Sequence, residues 1–211
     1  MSILNEISTN LQQGKAKVVK ELVQQAIDEG MDVKVILEEG LLSGMSIIGT
    51  KFKNNEVYVP EVLIAARAMN AGSALLKPLL AAGGVKAAGK VVLGTVKGDL
   101  HDIGKNLVRM MMEGKGLEVV DIGIDVPAEK FVSAAIEAEA QIIACSALLT
   151  TTMQEMKAVV EATKAAGIRE KVTIMVGGAP VTDSFCKQVG ADIYTPDAAT
   201  AAEEAARVCL K

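Results

Sequence analysis

Aromatic residues are nearly missing from this chain. They make up 2% of 211 residues, with no Trp, two Tyr and three Phe. A surface that stacks nucleobases needs aromatic faces, so this composition argues against single-stranded nucleic-acid binding. The core must instead be built from Ala, Val, Ile, Leu and Met. There is no excess of basic charge: 22 Lys and Arg stand against 26 Asp and Glu, a formal net charge of −4. That excludes an electrostatic footprint for phosphate backbones or anionic lipid. No uninterrupted apolar run is long enough to cross a bilayer. The polar stretch Met1–Lys20 has no apolar centre of a signal peptide. These features predict a cytoplasmic protein with no nucleic-acid and no membrane partner. Cysteine is scarce as well: Cys145, Cys186 and Cys209 are odd in number and not at zinc-site spacing. Cys145, inside Ile142-Ile143-Ala144-Cys145, reads as core rather than as a nucleophile. Histidine occurs once, at His101.

What is present divides into two halves. Residues 1–80 read as helical. In Lys15–Glu29 the residues Val18, Val19, Leu22, Val23, Ala26 and Ile27 form one amphipathic stripe. Gly30 ends that helix and Asp32 suits the N-cap of the next. A third helix is expected over Leu41–Phe52. A fourth starts near Pro60 and carries Val62, Ala65, Ala66, Met69, Leu75 and Leu76. Short helices with short connections predict a four-helix bundle. Residues 81–89, rich in Gly and Ala, read as a flexible linker.

Residues 90–211 alternate between the two periods. Strands are predicted at Val91–Val96, Glu118–Ile122, Ile142–Cys145, Val172–Val176 and Ile193-Tyr194. Helices are predicted at Asn106–Gly114, Pro127–Glu139, Met153–Ala166, Asp183–Val189 and Ala198–Leu210. The expected fold is α/β: a helical cap followed by a doubly wound, five-stranded parallel sheet of the flavodoxin-like, Rossmann-like kind. Such sheets bind ligands beyond the carboxyl ends of their strands.

The loop after the first strand, Lys97-Gly98-Asp99-Leu100-His101-Asp102-Ile103-Gly104, holds the single histidine. Asp99 lies two residues before it, and a carboxylate that holds one ring nitrogen is the usual support for a metal-ligating His. The alternative is a solvated His101 beside an Asp102 that caps the next helix. One His cannot build a zinc site, which needs three or four protein ligands. A metal on His101 would have to arrive with its other ligands, as in haem or a corrinoid.

The run Asp99-x-His101-x-x-Gly104 resembles the corrinoid-binding signature of methionine synthase, the methylotrophic corrinoid proteins and several cobalamin-dependent mutases. Ser146-Ala147-Leu148 and Gly177-Gly178 match its remaining elements in order and at the family's spacing. Gly44-Met45, Tyr58-Val59-Pro60-Glu61-Val62 and Ala66-Arg67-Ala68-Met69 look like the helical cap of the methyl-transferring branch. The chain therefore resembles a stand-alone corrinoid protein of a methyltransferase system.

That resemblance implies a cobalamin or related corrinoid, as methylcobalamin or hydroxocobalamin, with cobalt bound base-off and His101 as its axial ligand. Asp99 and Thr152 would continue from His101 as a relay. Thr152 alternatively suits an N-cap, with Glu155 completing a capping box. Gly98, Leu100, Asp102, Ile103 and Gly104 would surround the ligand loop. Ser146, Leu148, Thr150, Gly177, Gly178 and Ala198 would line the slot for the nucleotide tail, although a Gly-Gly pair also suits an ordinary turn. Met45, Tyr58 and Met69 are candidate contacts to the upper face, with bundle core as the alternative. The implied partners are a substrate-specific methyltransferase, a second methyltransferase acting on coenzyme M or tetrahydrofolate, and a reductive activase. The chain itself would have no complete active site. A small subunit of an adenosylcobalamin mutase shares the signature, but the helical half argues against it.

Overall fold

The computed structural model describes residues 2–83 and 87–210. Two compact units are present, residues 1–87 with 114–116 and residues 88–113 with 117–211.

The helical unit opens with α1 (Ile3–Gln12), whose first turn is capped by the Ser2 hydroxyl accepting from Asn5 N–H at 3.3 Å. Ile7 and Leu11 are its buried apolar residues. Helix α2 (Ala16–Asp28) buries Val19, Val23 and Ala26, the centre of the predicted stripe, and leaves Val18 at its exposed margin. Asp32 caps α3 (Val33–Val35) through Lys34 N–H at 2.8 Å and Val35 N–H at 3.1 Å. Here the expected boundary at Leu41 is wrong. The chain passes without a break through a π-helical turn (Ile36–Leu42) into α4 (Ser43–Lys53). The π turn absorbs Glu38-Glu39-Gly40, which a 3.6-residue pattern reads as an interruption. Helix α5 (Val59–Ala82) carries Pro60 in its first turn, where a missing N–H costs nothing.

The linker expectation needs correction at both ends. Ala81 and Ala82 belong to α5, as strong helix formers extending an existing helix should. Gly89 is fixed: its carbonyl accepts from Glu118 N–H at 2.9 Å, and a Cβ there would lie 2.2 Å from the Cys209 sulfur. Gly84, Val85 and Lys86 lie outside the described residues.

The second unit contains β1 (Lys90–Thr95), α6 (Ile103–Glu113), β2 (Glu118–Asp121), α7 (Ala128–Ala138), β3 (Ile142–Ser146), α8 (Gln154–Ala165), β4 (Thr173–Gly177), α9 (Asp183–Val189), β5 (Ile193–Tyr194) and α10 (Ala198–Cys209). All strands pair in parallel, in the order β2-β1-β3-β4-β5. This is the doubly wound, flavodoxin-like order, with its reversal between β1 and β3. Strands buried on both faces read as continuous Val, Ile and Leu. Val92, Ile143 and Ile174 accordingly sit at 0% exposure, in a core shared with Phe131 and Val160. Cys145 is buried with them, and desolvation pushes its thiol up to about 12, in keeping with a core role. Among the described residues no helix is long and apolar enough to cross a membrane.

Gly94 shows how tightly this sheet is covered. A Cβ there would lie 2.8 Å from Ile122 and 2.9 Å from the Phe131 ring. Gly94→Ala is expected to destabilise the protein by about 1–3 kcal/mol through overpacking, read as a lowered denaturant midpoint at unchanged slope.

Candidate corrinoid-binding site

Parallel pairing brings distant sequence elements side by side. Thr95 at the end of β1 is opposite Ser146 at the end of β3, and Ser146 is opposite Gly177 at the end of β4. One row at the carboxyl edge of the sheet thus joins the strand behind the His101 loop to both later parts of the signature. Gly178 follows with φ +130°, and a Cβ there would lie 1.9 Å from the Ala147 carbonyl oxygen. Only glycine lets those two strand ends approach so closely.

The His101 loop is shorter than its sequence suggests. Helix α6 begins at Ile103 rather than Asn106, so Ile103 and Gly104 form its first turn. Asp102 accepts from the Asn106 side-chain amide at 3.1 Å, and its carbonyl accepts from Asn106 N–H at 2.7 Å. Gly98 takes φ +80°, a left-handed conformation that folds the chain back beneath His101.

Asp99 is the centre of the arrangement. It is fully buried, and its two oxygens accept five hydrogen bonds. Oδ1 accepts from His101 N–H at 3.1 Å and from His101 Nδ1 at 2.7 Å. Oδ2 accepts from Leu148 N–H at 2.8 Å, Leu149 N–H at 3.2 Å and the Thr152 hydroxyl at 2.8 Å. Burial alone would push this carboxyl up. The donors from Leu148, His101 and Thr152 outweigh burial and hold it well below the usual carboxylate range. An ionised Asp99 can only accept, so the proton in the short contact sits on His101 Nδ1. That leaves Nε2 as the ring nitrogen able to ligate, on a side chain 49% exposed.

Thr152 is 8% exposed, and its hydroxyl lies 2.8 Å from Asp99 and 3.0 Å from the Leu149 carbonyl. The capping alternative fails, because α8 begins two residues later with Met153 as a cap that makes no side-chain bond. Leu148 serves Asp99 through its backbone N–H while its side chain stays exposed. Thr150 is exposed in the turn before α8, and Ala198 is buried at the start of α10. In the helical unit, Met45 and Met69 are buried, and Tyr58 is 65% exposed at the start of α5.

Two supporting residues escaped the sequence reading. The fully buried Thr95 donates its hydroxyl to the His101 carbonyl at 2.8 Å. Asp125, after β2, accepts from Gly98 N–H at 2.7 Å and donates its own N–H to the Asp99 carbonyl at 3.0 Å. Thr95 carries a faint signal as a lone hydroxyl ending an apolar strand, and Asp125 carries none.

The surroundings fit a large, mostly apolar planar group. Leu100 and Ile103 are 67% and 74% exposed on either side of His101, and Ile124, Leu148 and Leu149 are exposed at neighbouring strand ends. Large apolar side chains are not normally left in water in such numbers without a ligand to cover them. A Cβ on Gly104 would meet nothing in the chain, so no internal contact demands glycine there. Among the described residues no three His, Cys, Asp or Glu side chains gather to hold a bare metal ion. A metal on His101 must therefore bring its other ligands.

The chain is similar to known proteins. A B12 binding domain family matches residues 89–206, and a second B12 binding domain family matches residues 3–77. A corrinoid protein of Desulfitobacterium hafniense (strain Y51) is 40% identical over 214 residues, covering 100% of this chain and 99% of its own. Dimethylamine corrinoid protein 3 of Methanosarcina acetivorans is 41% identical over 208 residues, covering 99% and 97%. Among solved structures, the methanol:cobalamin methyltransferase complex MtaBC from Methanosarcina barkeri matches with a TM-score of 0.89 at 31% identity, covering 98% of this chain and 79% of that one.

The pH response of Asp99 follows from its environment. A carboxylate whose folded pKa is lowered stabilises the fold fully above its unfolded value, about 3.9, and loses that contribution as pH falls toward the folded value. Asp99→Asn should cost about 1–3 kcal/mol at neutral pH, since it places an amide among donors. The stability gap between wild type and Asp99→Asn should stay constant down to about pH 5 and narrow only below about pH 4. Urea unfolding from neutrality to about pH 2 measures it, and a gap that does not narrow below about pH 4 would show Asp99 titrating as an ordinary carboxyl.

Proposed function

Because this chain belongs to the B12-binding family of corrinoid proteins, we propose that it is the corrinoid-carrying subunit of a methyltransferase system. In this reading it shuttles a methyl group from a substrate-specific methyltransferase to a second methyltransferase that serves coenzyme M or tetrahydrofolate. One observation carries the proposal. A half-exposed imidazole has its inner nitrogen anchored to a buried, ionised carboxylate at 2.7 Å and its outer nitrogen free among exposed apolar side chains. The corrinoid, when bound, supplies a cobalt centre that accepts a methyl group from one partner and surrenders it to the other.

The chain's own residues hold and orient. His101 would ligate through Nε2 while Nδ1–H stays on Asp99, which fixes the ring's orientation. Leu148 N–H and the Thr152 hydroxyl hold the Asp99 carboxylate in place beside the ring. Ser146, Gly177 and Gly178, on adjoining strand ends, would hold the displaced nucleotide arm, with Thr150 and Ala198 near its course. Leu100 and Ile103 would lie against the macrocycle beside Gly98, Asp102 and Gly104. The helical half matches its own B12 binding family, which supports the carrier reading over a mutase subunit. Dimethylamine, trimethylamine and methanol all appear among the systems of the relatives, which supports leaving the choice of methyl donor to the partner enzyme. The carrier would act in the cytoplasm and depend on a reductive activase to recover its reduced state.

Removing the ligand separates binding from control. His101→Gly should retain much of its corrinoid, held by the tail slot and the apolar face, yet show altered absorbance in its methyl and reduced forms. Spectra identical to wild type in both forms would contradict ligation by His101.

A further inference from the structure

Asp125 lies 24 residues beyond His101 and outside every element of the signature. It nevertheless grips the Gly98–Asp99 segment from two sides. Its carboxylate Oδ1 accepts from Gly98 N–H at 2.7 Å, and its backbone N–H donates to the Asp99 carbonyl at 3.0 Å. Its own φ is +52°, a left-handed value that non-glycine residues rarely keep unless surrounding contacts impose it. Those contacts are present. The next residue, Val126, bridges to Val96 and donates to the Thr95 carbonyl at 3.0 Å, and the Gly123 carbonyl accepts from Thr95 N–H at 3.0 Å. The turn after β2 is therefore stitched along the end of β1, and its one charged acceptor meets the N–H of the glycine that reverses the chain under His101.

Resting on the reading that His101 ligates cobalt, we propose that Asp125 is a positioning residue for that ligand. Asp99 orients the imidazole through its side chain. Asp125 holds the backbone of Asp99, so that the carboxylate presented to Nδ1 cannot drift. A carboxylate–amide bond at 2.7 Å is charge-assisted and short enough to set the height of the Gly98–Asp99 peptide. The chemistry that matters is a single acceptor oxygen on a residue tolerating left-handed backbone. Asparagine supplies both features. Glycine supplies only the second, and it relieves backbone strain rather than adding it, so Asp125→Gly should fold.

The chain carries its own reporter, since His101 is its one histidine and its ring signals need no separation from others. In cofactor-free protein, nitrogen NMR should show a single tautomer protonated at Nδ1 for wild type and for Asp125→Asn. Asp125→Gly should show a mixture of tautomers and an upfield shift of the Nδ1 proton. Hydroxocobalamin affinity should fall about tenfold in Asp125→Gly, the lower end of the loss usual for residues that orient a ligand, and be recovered in Asp125→Asn. Wild-type ring signals in Asp125→Gly would overturn the proposal, as would equal perturbation by both substitutions, which would deny the role of the oxygen. Failure of the ligation reading registers separately: wild type and His101→Gly would then share one cobalamin spectrum, while the ring signals of cofactor-free protein still decide on Asp125.

Discussion

A carboxylate taken fully out of water normally gives up its charge, because solvation by the interior is far poorer than solvation by water. Asp99 keeps its charge because five donors converge on its two oxygens, three of them backbone N–H groups that no side-chain exchange can remove. The rest of the site depends on that. The charge places the proton on His101 Nδ1, this fixes the tautomer, and the tautomer leaves Nε2 as the ring nitrogen able to ligate. Strand order supplies the donors: β1 and β3 are neighbours, so the turn after β3 delivers Leu148, Leu149 and Thr152 onto a residue about fifty positions earlier.

Much of the α/β unit was legible in the sequence, since its strands are short apolar runs separated by amphipathic helices. The five strands lie within one residue or two of their expected limits. The helical unit was less legible where its period changes. The π turn at Ile36–Leu42 shifts the phase of the apolar pattern, so one continuous helical segment reads as two. Helix α1 hides in a polar stretch because only one narrow face, with Ile7 and Leu11, is buried. The linker was overdrawn for a compositional reason. Ala and Gly together suggest flexibility, yet Ala81 and Ala82 continue a helix, and Gly89 is small because the Cys209 sulfur sits where a Cβ would go.

The site divides in the same way. Asp99 and His101 are two residues apart, and their partnership can be inferred from chemistry and resemblance together. Thr152 presented two roles that local sequence could not separate, and the start of α8 separates them. Asp125 was invisible because its contact with Gly98 exists only once β2 is laid beside β1. Local pattern reports what a residue does for its own helix or strand. It is silent about a turn that serves a loop on the neighbouring strand.

The central claim is that His101 Nε2 is the protein's bond to cobalt. Electron paramagnetic resonance of the cobalamin-loaded protein, reduced to cobalt(II) and carrying histidine labelled with the heavy nitrogen isotope, tests it most directly. The account predicts that each cobalt line, split into three by one axial nitrogen in unlabelled protein, collapses to two in labelled protein. A three-fold splitting that survives labelling would mean that the cofactor's own base still holds the metal, and the account would be wrong.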